Sequence, residues 1–299
     1  MDENDLIKRF RYYRETQIWP LAKEFNYEQW LNNFTKDEKE IAKQILDYFI
    51  YIPDGFINQM FATVLGKCGY LFKRLLGSWS DNDFKNNCWY SFIPGEENKP
   101  TDSGYLFERK LRDDIHIPET QILDYFDLYL KLMSTSYQNV ILVDDFVGSG
   151  HQTTVAWQKL LKYGSLQYIA LTHHHNVIYA PLIVNKIGFD LINSKCAGLN
   201  LVYIYLLGEE YSLFNLDCPC WNGNYESYIN GTKLILEKSK ELGIPFTNGN
   251  DVIDVRGYRE QGLALAFKHG IPDACPPIFY WETETWKPLI KKVYKRPTI

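Results

Sequence analysis

Residues 140–157 constrain the fold of this chain more than any other stretch, and they read VILVDDFVGSGHQTTVAW. Four aliphatic residues lead into two adjacent acids, Asp144 and Asp145, and a glycine–serine–glycine turn follows at residues 148–150. A short aliphatic run without polar interruptions is typical of a strand buried on both faces of a parallel sheet. The segment therefore predicts a strand that ends at Val143, then a tight turn and a helix.

The first part of the chain, up to residue 85, has the pattern of packed helices. In the segment TKDEKEIAKQILDYFIYIP, Thr35 and Glu38 have the spacing of a capping box, and apolar residues recur on one helical face until Pro53. The next segment, GFINQMFATVLGKCGYLFKRLLGSW, is more apolar, but amide and basic residues interrupt it. It therefore predicts a second packed helix rather than a membrane segment.

From Cys88 onward, short apolar segments alternate with helical patterns, as expected for an α/β protein with a parallel sheet. We predict two parts: a helical N-terminal region at residues 1–85, and at residues 86–299 an α/β domain whose parallel sheet is covered by helices. The aromatic C-terminal segment is interpreted as a hood on this domain, with core packing as the simpler alternative. Besides the strand before the acid pair, we predict strands at 88–93, QYIALT, LNLVYIYLL, LALAF and PPIFYW, and helices near 178–187 and 225–242.

Composition and charge argue against several classes of protein. The chain of 299 residues has a net charge of -5, which gives no overall positive field for non-specific binding of nucleic acid. Its N-terminus, MDENDLIKRF, is polar, and a run of about 18 apolar residues does not occur, so we predict neither a secretion signal nor a membrane span. Six cysteines do not suggest a disulfide-based fold in a chain of this length. We therefore predict a cytoplasmic protein.

The turn after the acid pair has the chemistry of a sugar-phosphate site. Ligands of an open parallel sheet bind beyond the carboxyl ends of its strands. There, backbone N–H groups of a glycine turn and of the following helix can bind a phosphate. The two carboxylates can accept hydrogen bonds from sugar hydroxyls. The alternative is an acid pair that caps backbone groups beside an ordinary glycine turn. Further donors to a phosphate are Ser149, His151, Gln152 and Thr153.

Other phosphate-binding motifs fit this segment less well. A P-loop has a lysine followed by serine or threonine after its glycines, whereas Gly150 is followed by His151 and Gln152. A dinucleotide-binding fingerprint has its acid about 20 residues after the glycines, whereas Asp144 and Asp145 precede them.

Three further motifs have weaker functional interpretations. The histidines at residues 173–175 follow the predicted strand QYIALT, so one imidazole is expected to reach the cleft, with packing or a surface position as alternatives. Cys218 and Cys220 lack the spacing of a zinc knuckle and are predicted to pack in the interior. Tyr258 and Arg259 lie between glycines, where the aromatic ring could stack on a nucleobase or simply form part of a loop.

Residues 140–150 resemble the phosphoribosyl-pyrophosphate (PRPP) signature of type I phosphoribosyltransferases. In that signature, four hydrophobic residues, two acids and two hydrophobic residues precede a small-residue turn. The resemblance implies that Asp144 and Asp145 bind the ribose 2′- and 3′-hydroxyls. It also implies contacts with the 5′-phosphate from Val147, Gly148, Ser149, Gly150, His151, Gln152 and Thr153.

The family also has a pyrophosphate loop after its first core strand, and the segment PTDSGYLFERK occupies that place here. By this resemblance Asp102, Ser103 and Gly104 contact the pyrophosphate. A magnesium ion would bridge the pyrophosphate, held mainly by oxygens of the ligand and by water. Some purine-using members have an acidic base at the position of Gly148. Glycine cannot accept a proton, so base activation of that type is excluded at this position.

A narrower resemblance covers residues 88–290. The segments PGEENKPTDSGYLFERK, DDFVGSGHQ and GYREQGLALAFKHGIPDACPPIFYWETETWKPL are similar to phosphoribosyltransferase-like effectors of bacterial antiphage systems, some of them associated with retrons. The resemblance implies an effector that binds PRPP or a related ribose phosphate and transfers it or consumes nucleotides, or alternatively a non-catalytic sensor or structural subunit. It implies the reverse transcriptase and the noncoding RNA or DNA of a retron as partners, and it leaves homo-oligomer formation open.

Overall fold

The computed structural model of the chain describes residues 3–95, 103–246 and 253–291. The chain forms two compact units, one of Met1–Phe56 together with Gly208–Ile299 and the other of Ile57–Leu207. The first unit therefore combines the two ends of the sequence, and the second is one continuous segment. The predicted division into residues 1–85 and 86–299 rests on sequence patterns and stays a prediction.

Helices and strands alternate along most of the described residues. The helices are α1 (Glu3–Glu15), α2 (Tyr27–Leu31), α3 (Glu38–Tyr48), α4 (Asp54–Leu76), α5 (Asp81–Asn86), α6 (Ser103–Asp113), α7 (Tyr125–Met133), α8 (His151–Gln158), α9 (Leu166–Thr172), α10 (Lys186–Lys195) and α11 (Tyr225–Glu241). The strands are β1 (Ile50–Ile52), β2 (Trp89–Phe92), β3 (Asn139–Val147), β4 (Asn176–Asn185), β5 (Leu199–Leu201), β6 (Tyr205–Leu207), β7 (Ile253–Asp254), β8 (Gly257–Tyr258) and β9 (Leu265–Phe267). Within the described ranges, none of the helices has the length and apolar character that crossing a membrane requires.

The second unit is built around a five-stranded parallel sheet. Strands β2, β3, β4 and β5 lie side by side in that order, and β6 pairs with the last residues of β4. Strand β3 pairs with β4 from Asn139 to Val147, whereas β2 pairs with β3 only from Val140 to Val143. The end of β3 therefore extends beyond β2. The prediction that this strand ends at Val143 is wrong, because β4 is 10 residues long and continues to pair with it.

Apolar side chains cover both faces of this sheet. On one face, Val140 and Leu142 belong to a buried cluster with residues of α7, α8 and α9, including Trp157 and Ile169. On the other face, α6 packs against β2 and β3, and its Phe107 is fully buried. Burial of each such side chain contributes about 2 kcal/mol. The predicted class, an α/β fold with a parallel sheet covered by helices, is confirmed.

Aromatic rings from the two ends of the chain pack together in the first unit. Strand β1 pairs in parallel with β9, and α3 packs against α11. The ring centroids of Phe49 and Phe279 are 5.0 Å apart, and those of Phe34 and Trp286 are 5.3 Å apart. The aromatic C-terminal segment therefore packs in a core, which was the simpler of the two sequence interpretations.

The structure corrects three strand predictions near the C-terminus. The segment LALAF contains β9, but this strand pairs with β1 and not with the main sheet. The segment PPIFYW forms a 3-10 helix at Pro277–Phe279, because prolines lack the N–H group that a ladder requires. The segment LNLVYIYLL contains two short strands, β5 and β6, instead of one.

The prediction for residues 166–187 is reversed. The segment QYIALT lies in helix α9, and Ser165 caps this helix by accepting a hydrogen bond from the Tyr168 N–H group. Residues 178–187, predicted as a helix, lie mostly in the buried strand β4. The prediction was wrong for two reasons. A short apolar run has the same appearance in a strand and in a buried helix, and a proline such as Pro181 is unusual in a central strand. The structure accommodates Pro181 between the parts of β4 that pair with β5 and with β6.

Candidate functional site

The predicted site residues lie at the carboxyl end of β3, in the second unit. The part of β3 that carries Asp144 and Asp145 pairs with β4 on one side only, since β2 ends at Phe92, opposite Val143. The Gln152 side chain donates a 3.2 Å hydrogen bond to the carbonyl oxygen that follows β2 at Ile93, and so connects α8 to the end of that strand. Ligands of parallel sheets bind at this kind of edge.

Glycine is required at Gly150 in the turn after β3 and at Gly188 in α10, which approaches this turn. Gly150 has a φ of +72°, in the left-handed region that favours glycine. A Cβ atom at Gly150 would also lie 2.9 Å from the carbonyl oxygen of Gly188 in α10. Conversely, a Cβ atom at Gly188 would lie 2.4 Å from the carbonyl oxygen of Gly148. The start of α10 and the turn therefore approach each other at backbone distance.

The turn offers backbone donors. The N–H groups of Gly148, Ser149 and Gly150 make no hydrogen bond to any other residue that the structure describes. The first N–H groups of α8 lack intrahelical acceptors by geometry, and the helix dipole adds positive potential there. The Ser149 hydroxyl oxygen accepts a 3.4 Å hydrogen bond from the His151 N–H group, and a hydroxyl that accepts can still donate its own proton. An anion is the ligand that this arrangement favours.

The two acids have different environments. Asp144 is 8% exposed, its Oδ2 accepts a 2.6 Å hydrogen bond from the Tyr179 hydroxyl, and its Oδ1 accepts a 2.9 Å hydrogen bond from the Asp145 N–H group. Asp145 is partly exposed. Asp144 lies on the sheet face of Tyr179, and the Asp145 carboxyl is close enough to form a side-chain hydrogen bond with that of Asp144. The regular alternation of side chains is interrupted here, since Val147 joins the same buried cluster as Val140 and Leu142. Asp145 is the more exposed of the two carboxyls.

Burial and the neighbouring Asp145 carboxyl raise the pKa of Asp144 well above its usual value. The hydrogen bond from the Tyr179 hydroxyl acts in the opposite direction. Burial, followed by the charge of Asp144, also raises the pKa of Tyr179. The raised pKa of Tyr179 keeps the phenol protonated, so its hydroxyl can donate the hydrogen bond to Asp144.

The predicted pyrophosphate loop meets the same edge of the sheet. Asp102 lies outside the described residues, and Ser103 is the first residue of α6. Gly104 is buried, and a Cβ atom there would lie 2.0 Å from a ring carbon of Phe92, the last residue of β2. The start of α6 therefore lies directly against the carboxyl end of β2, next to the strand that carries the acid pair.

The three consecutive histidines lie away from this edge. They precede β4, so they are at the amino ends of the strands, opposite the acid pair. A ring nitrogen of His173 is 2.8 Å from the carbonyl oxygen of Thr135, and one of His175 is 2.9 Å from that of Leu132. The expectation that an imidazole reaches the cleft is wrong for these two residues, and packing within the fold is what the structure shows for them.

The remaining weak motifs belong to the first unit. Cys218 and Cys220 are free and buried, which confirms their predicted interior packing. The Arg259 guanidinium lies 5.7 Å from the centre of the Tyr258 ring. A role of this ring in stacking on a nucleobase stays a prediction.

Sequence reasoning missed two residues that shape the site. Tyr179 lies in a segment predicted as a helix, so its position beside Asp144 could not be foreseen. Gly188 lies in the first turn of α10, where glycine disfavours a helix, and this unusual choice was the available signal. Both residues belong to elements that follow the motif in the sequence and pack against it only in the fold.

A parallel α/β sheet with an acid pair at the end of one strand and a glycine turn after it is typical of a phosphoribosyltransferase-like protein. The chain belongs to the PRTase-CE family, whose model matches residues 27–292. The match begins well before residue 88 and so includes most of the N-terminal helical region. Searches of curated proteins and of solved structures gave no match.

Proposed function

We propose that this chain binds PRPP or a related ribose phosphate at the carboxyl end of β3. The observation that carries the proposal is the turn at residues 148–150, whose amide groups have no acceptor among the described residues and which directly follows an acid pair. A ribose with a terminal phosphate matches both groups, because its phosphate needs donors and its hydroxyls need acceptors. Membership of a phosphoribosyltransferase-like family supports the same class of ligand.

Each part of the ligand has its own set of residues in this proposal. The hydroxyls are bound by the acid pair Asp144 and Asp145, with Asp145 in direct contact. The pyrophosphate of PRPP is bound by the loop that includes Asp102, Ser103 and Gly104. The 5′-phosphate is bound by Val147, Gly148, Ser149, Gly150, His151, Gln152 and Thr153.

Magnesium is the proposed cofactor. The described residues contain no group of three histidine, cysteine or acidic side chains that could hold a metal ion. In this proposal oxygens of the pyrophosphate and of water therefore supply most of the ligands, a set that suits Mg²⁺. When bound, the ion would neutralise charge on the pyrophosphate.

A transferase would use this site for displacement at ribose C1′. The bond from C1′ to the pyrophosphate oxygen breaks, a bond from the acceptor to C1′ forms, and the acceptor loses a proton. The contributions of this chain would be orientation of the ribose and stabilisation of the leaving group by backbone N–H groups. Gly148 cannot take the proton, and Asp144 is buried with both carboxyl oxygens accepting hydrogen bonds from the protein. These two observations favour an alternative in which the site senses PRPP or a nucleotide without turnover.

Calorimetry with PRPP and Mg²⁺ tests the binding proposal. Asp144→Ala combined with Asp145→Ala should weaken binding by at least about tenfold, or about 1.4 kcal/mol. Asp217→Ala combined with Glu226→Ala removes two carboxyl groups from exposed positions and should leave binding unchanged. The absence of any binding to the wild-type protein would refute the proposal. Release of pyrophosphate with a panel of bases and nucleotides then separates a transferase from a sensor.

We further propose that the chain is a cytoplasmic effector of an antiphage system, with a retron reverse transcriptase and its noncoding RNA or DNA as partners. The sequence resemblance to such effectors supports this role. Cells that express the chain with its neighbouring genes should resist phage, and the double change at Asp144 and Asp145 should abolish the resistance. Resistance that survives this change would favour a structural subunit.

A further inference from the structure

Tyr179 connects the acid pair to the helix after the phosphate turn. It lies in the centre of β4 and is almost completely buried. Its hydroxyl donates a 2.6 Å hydrogen bond to Asp144 Oδ2 and accepts a 3.4 Å hydrogen bond from Thr153 Oγ1. Thr153 belongs to the first turn of α8 and is 2% exposed. A buried chain of hydroxyls therefore runs from the start of α8 to the acid pair.

These bonds determine which way the Asp144 carboxyl points. Both of its oxygens accept hydrogen bonds, Oδ2 from Tyr179 and Oδ1 from the Asp145 N–H group. A buried carboxyl that loses such a partner has a large desolvation cost. Asp144 therefore cannot turn toward a ligand without a penalty, and the neighbouring Asp145 is the more exposed carboxyl of the pair.

Packing alone does not explain a tyrosine at this position. The ring lies in a buried core whose members include Leu142 and Val177. Phenylalanine would fill the same space without a polar atom. The hydroxyl is buried, and its two partners both belong to the segment that carries the candidate site. We therefore expect the Tyr179 hydroxyl to act on the candidate site.

We propose that Tyr179 is a positioning residue of the ribose site, which holds the Asp144 carboxyl inward so that Asp145 is presented to the ribose hydroxyls. This inference rests on the proposed function, namely that the chain binds a ribose phosphate. Tyr179 itself does not touch the ligand. Its loss should therefore affect recognition of the hydroxyls and not of the phosphate, which binds to backbone groups of the turn.

A comparison of two sugar phosphates that differ in one hydroxyl distinguishes recognition of the hydroxyls from recognition of the phosphate. Binding of ribose 5-phosphate and of 2-deoxyribose 5-phosphate would be measured by calorimetry for the wild type, Tyr179→Phe and Tyr129→Phe. Tyr129 is the matched control, because it is a fully buried tyrosine of the same core whose hydroxyl accepts a hydrogen bond from the Tyr163 N–H group. We expect the wild type and Tyr129→Phe to prefer ribose 5-phosphate by about tenfold.

Tyr179→Phe should bind 2-deoxyribose 5-phosphate within about twofold of the wild type and should lose most of its preference for ribose 5-phosphate. An unchanged preference, or an equal loss of affinity for both sugars, would overturn the positioning role. A wild-type protein that binds PRPP but neither sugar phosphate would overturn this inference alone, and one that also fails to bind PRPP would overturn the proposed function. If Tyr179→Phe does not fold, Thr153→Val interrupts the same chain of hydrogen bonds and should reduce the preference to a smaller extent.

Discussion

At the scale of single residues, two adjacent acids of one motif have unlike environments. Asp144 and Asp145 are an equivalent pair in the motif, whereas in the fold Asp144 is buried and Asp145 is partly exposed. Tyr179 donates a hydrogen bond to the Asp144 carboxyl and so reduces the free-energy cost of burying it. The pair therefore combines a buried group with a partly exposed one.

The raised pKa of Asp144 predicts how stability changes with pH. A carboxyl whose pKa is higher in the folded state holds a proton that the unfolded chain releases above about pH 4. Its contribution to stability is complete below that pH and is lost as the pH rises through the folded-state pKa. Asp144→Asn has no such proton, so its melting temperature relative to the wild type should increase between pH 5 and pH 8. The slope for one group is at most about 1.4 kcal/mol per pH unit.

The comparison with the wild type isolates Asp144 from other groups. Burial, followed by the charge of Asp124, raises the pKa of Glu108 to about 7. The stability that protonated Glu108 contributes to the protein is therefore also lost as the pH rises over this range. This contribution is present in both proteins and cancels in the difference. Parallel curves of melting temperature against pH for the two proteins would contradict the prediction.

At the scale of secondary-structure elements, the turn depends on α10 as well as on β3 and α8. The close approach of Gly188 to Gly148 means that two helices and a strand end meet at the proposed phosphate site. The sequence did not give the order of these elements, because the segment of α9 was predicted as a strand and most of β4 was predicted as a helix. A short apolar run has the same composition in either structure.

Gly188→Ala tests the contact between α10 and the turn. Alanine is normally better than glycine in a helix by about 1 kcal/mol. Here its Cβ atom would lie 2.4 Å from the Gly148 carbonyl oxygen and 2.7 Å from a methyl carbon of Val147. We expect the turn to shift and the affinity for ribose 5-phosphate to fall by about tenfold, measured by calorimetry.

Gly66→Ala is the matched control for this substitution. Gly66 lies inside α4, and a Cβ atom there would have nothing within 4 Å. The control should bind as the wild type does and should be slightly more stable, by up to about 1 kcal/mol. Wild-type affinity in Gly188→Ala would show that the turn does not depend on α10.

At the scale of the whole molecule, the first unit depends on segments from both ends of the chain. Phe279 is fully buried, and its ring centroid lies 5.7 Å from that of Trp30 and 5.0 Å from that of Phe49. The match of the family model from residue 27 to residue 292 spans both of these segments. The helical N-terminal region is thus part of the family fold, although its sequence pattern differs from that of the later α/β segments.

Phe279→Ala should destabilise the first unit by about 3–5 kcal/mol, because it removes a large ring from a filled core. Chemical denaturation followed by aromatic fluorescence would measure this loss. Phe246→Ala removes the same ring from a position that is 62% exposed, so it should change stability by less than about 1 kcal/mol. Equal effects of the two substitutions would mean that the ends of the chain do not share a core.

The sequence by itself determined the α/β class, the glycine turn and the acid pair, because these are local patterns of residue type within a few positions. It also predicted β2 and α11 closely, since caps and periodicity mark such elements. Only the tertiary structure decided that Asp144 points inward, that Tyr179 and Gly188 support the site, and that residues 173–175 lie at the opposite end of the sheet. These properties depend on strand order, pleat direction and backbone approach between segments far apart in the chain, which no local pattern contains.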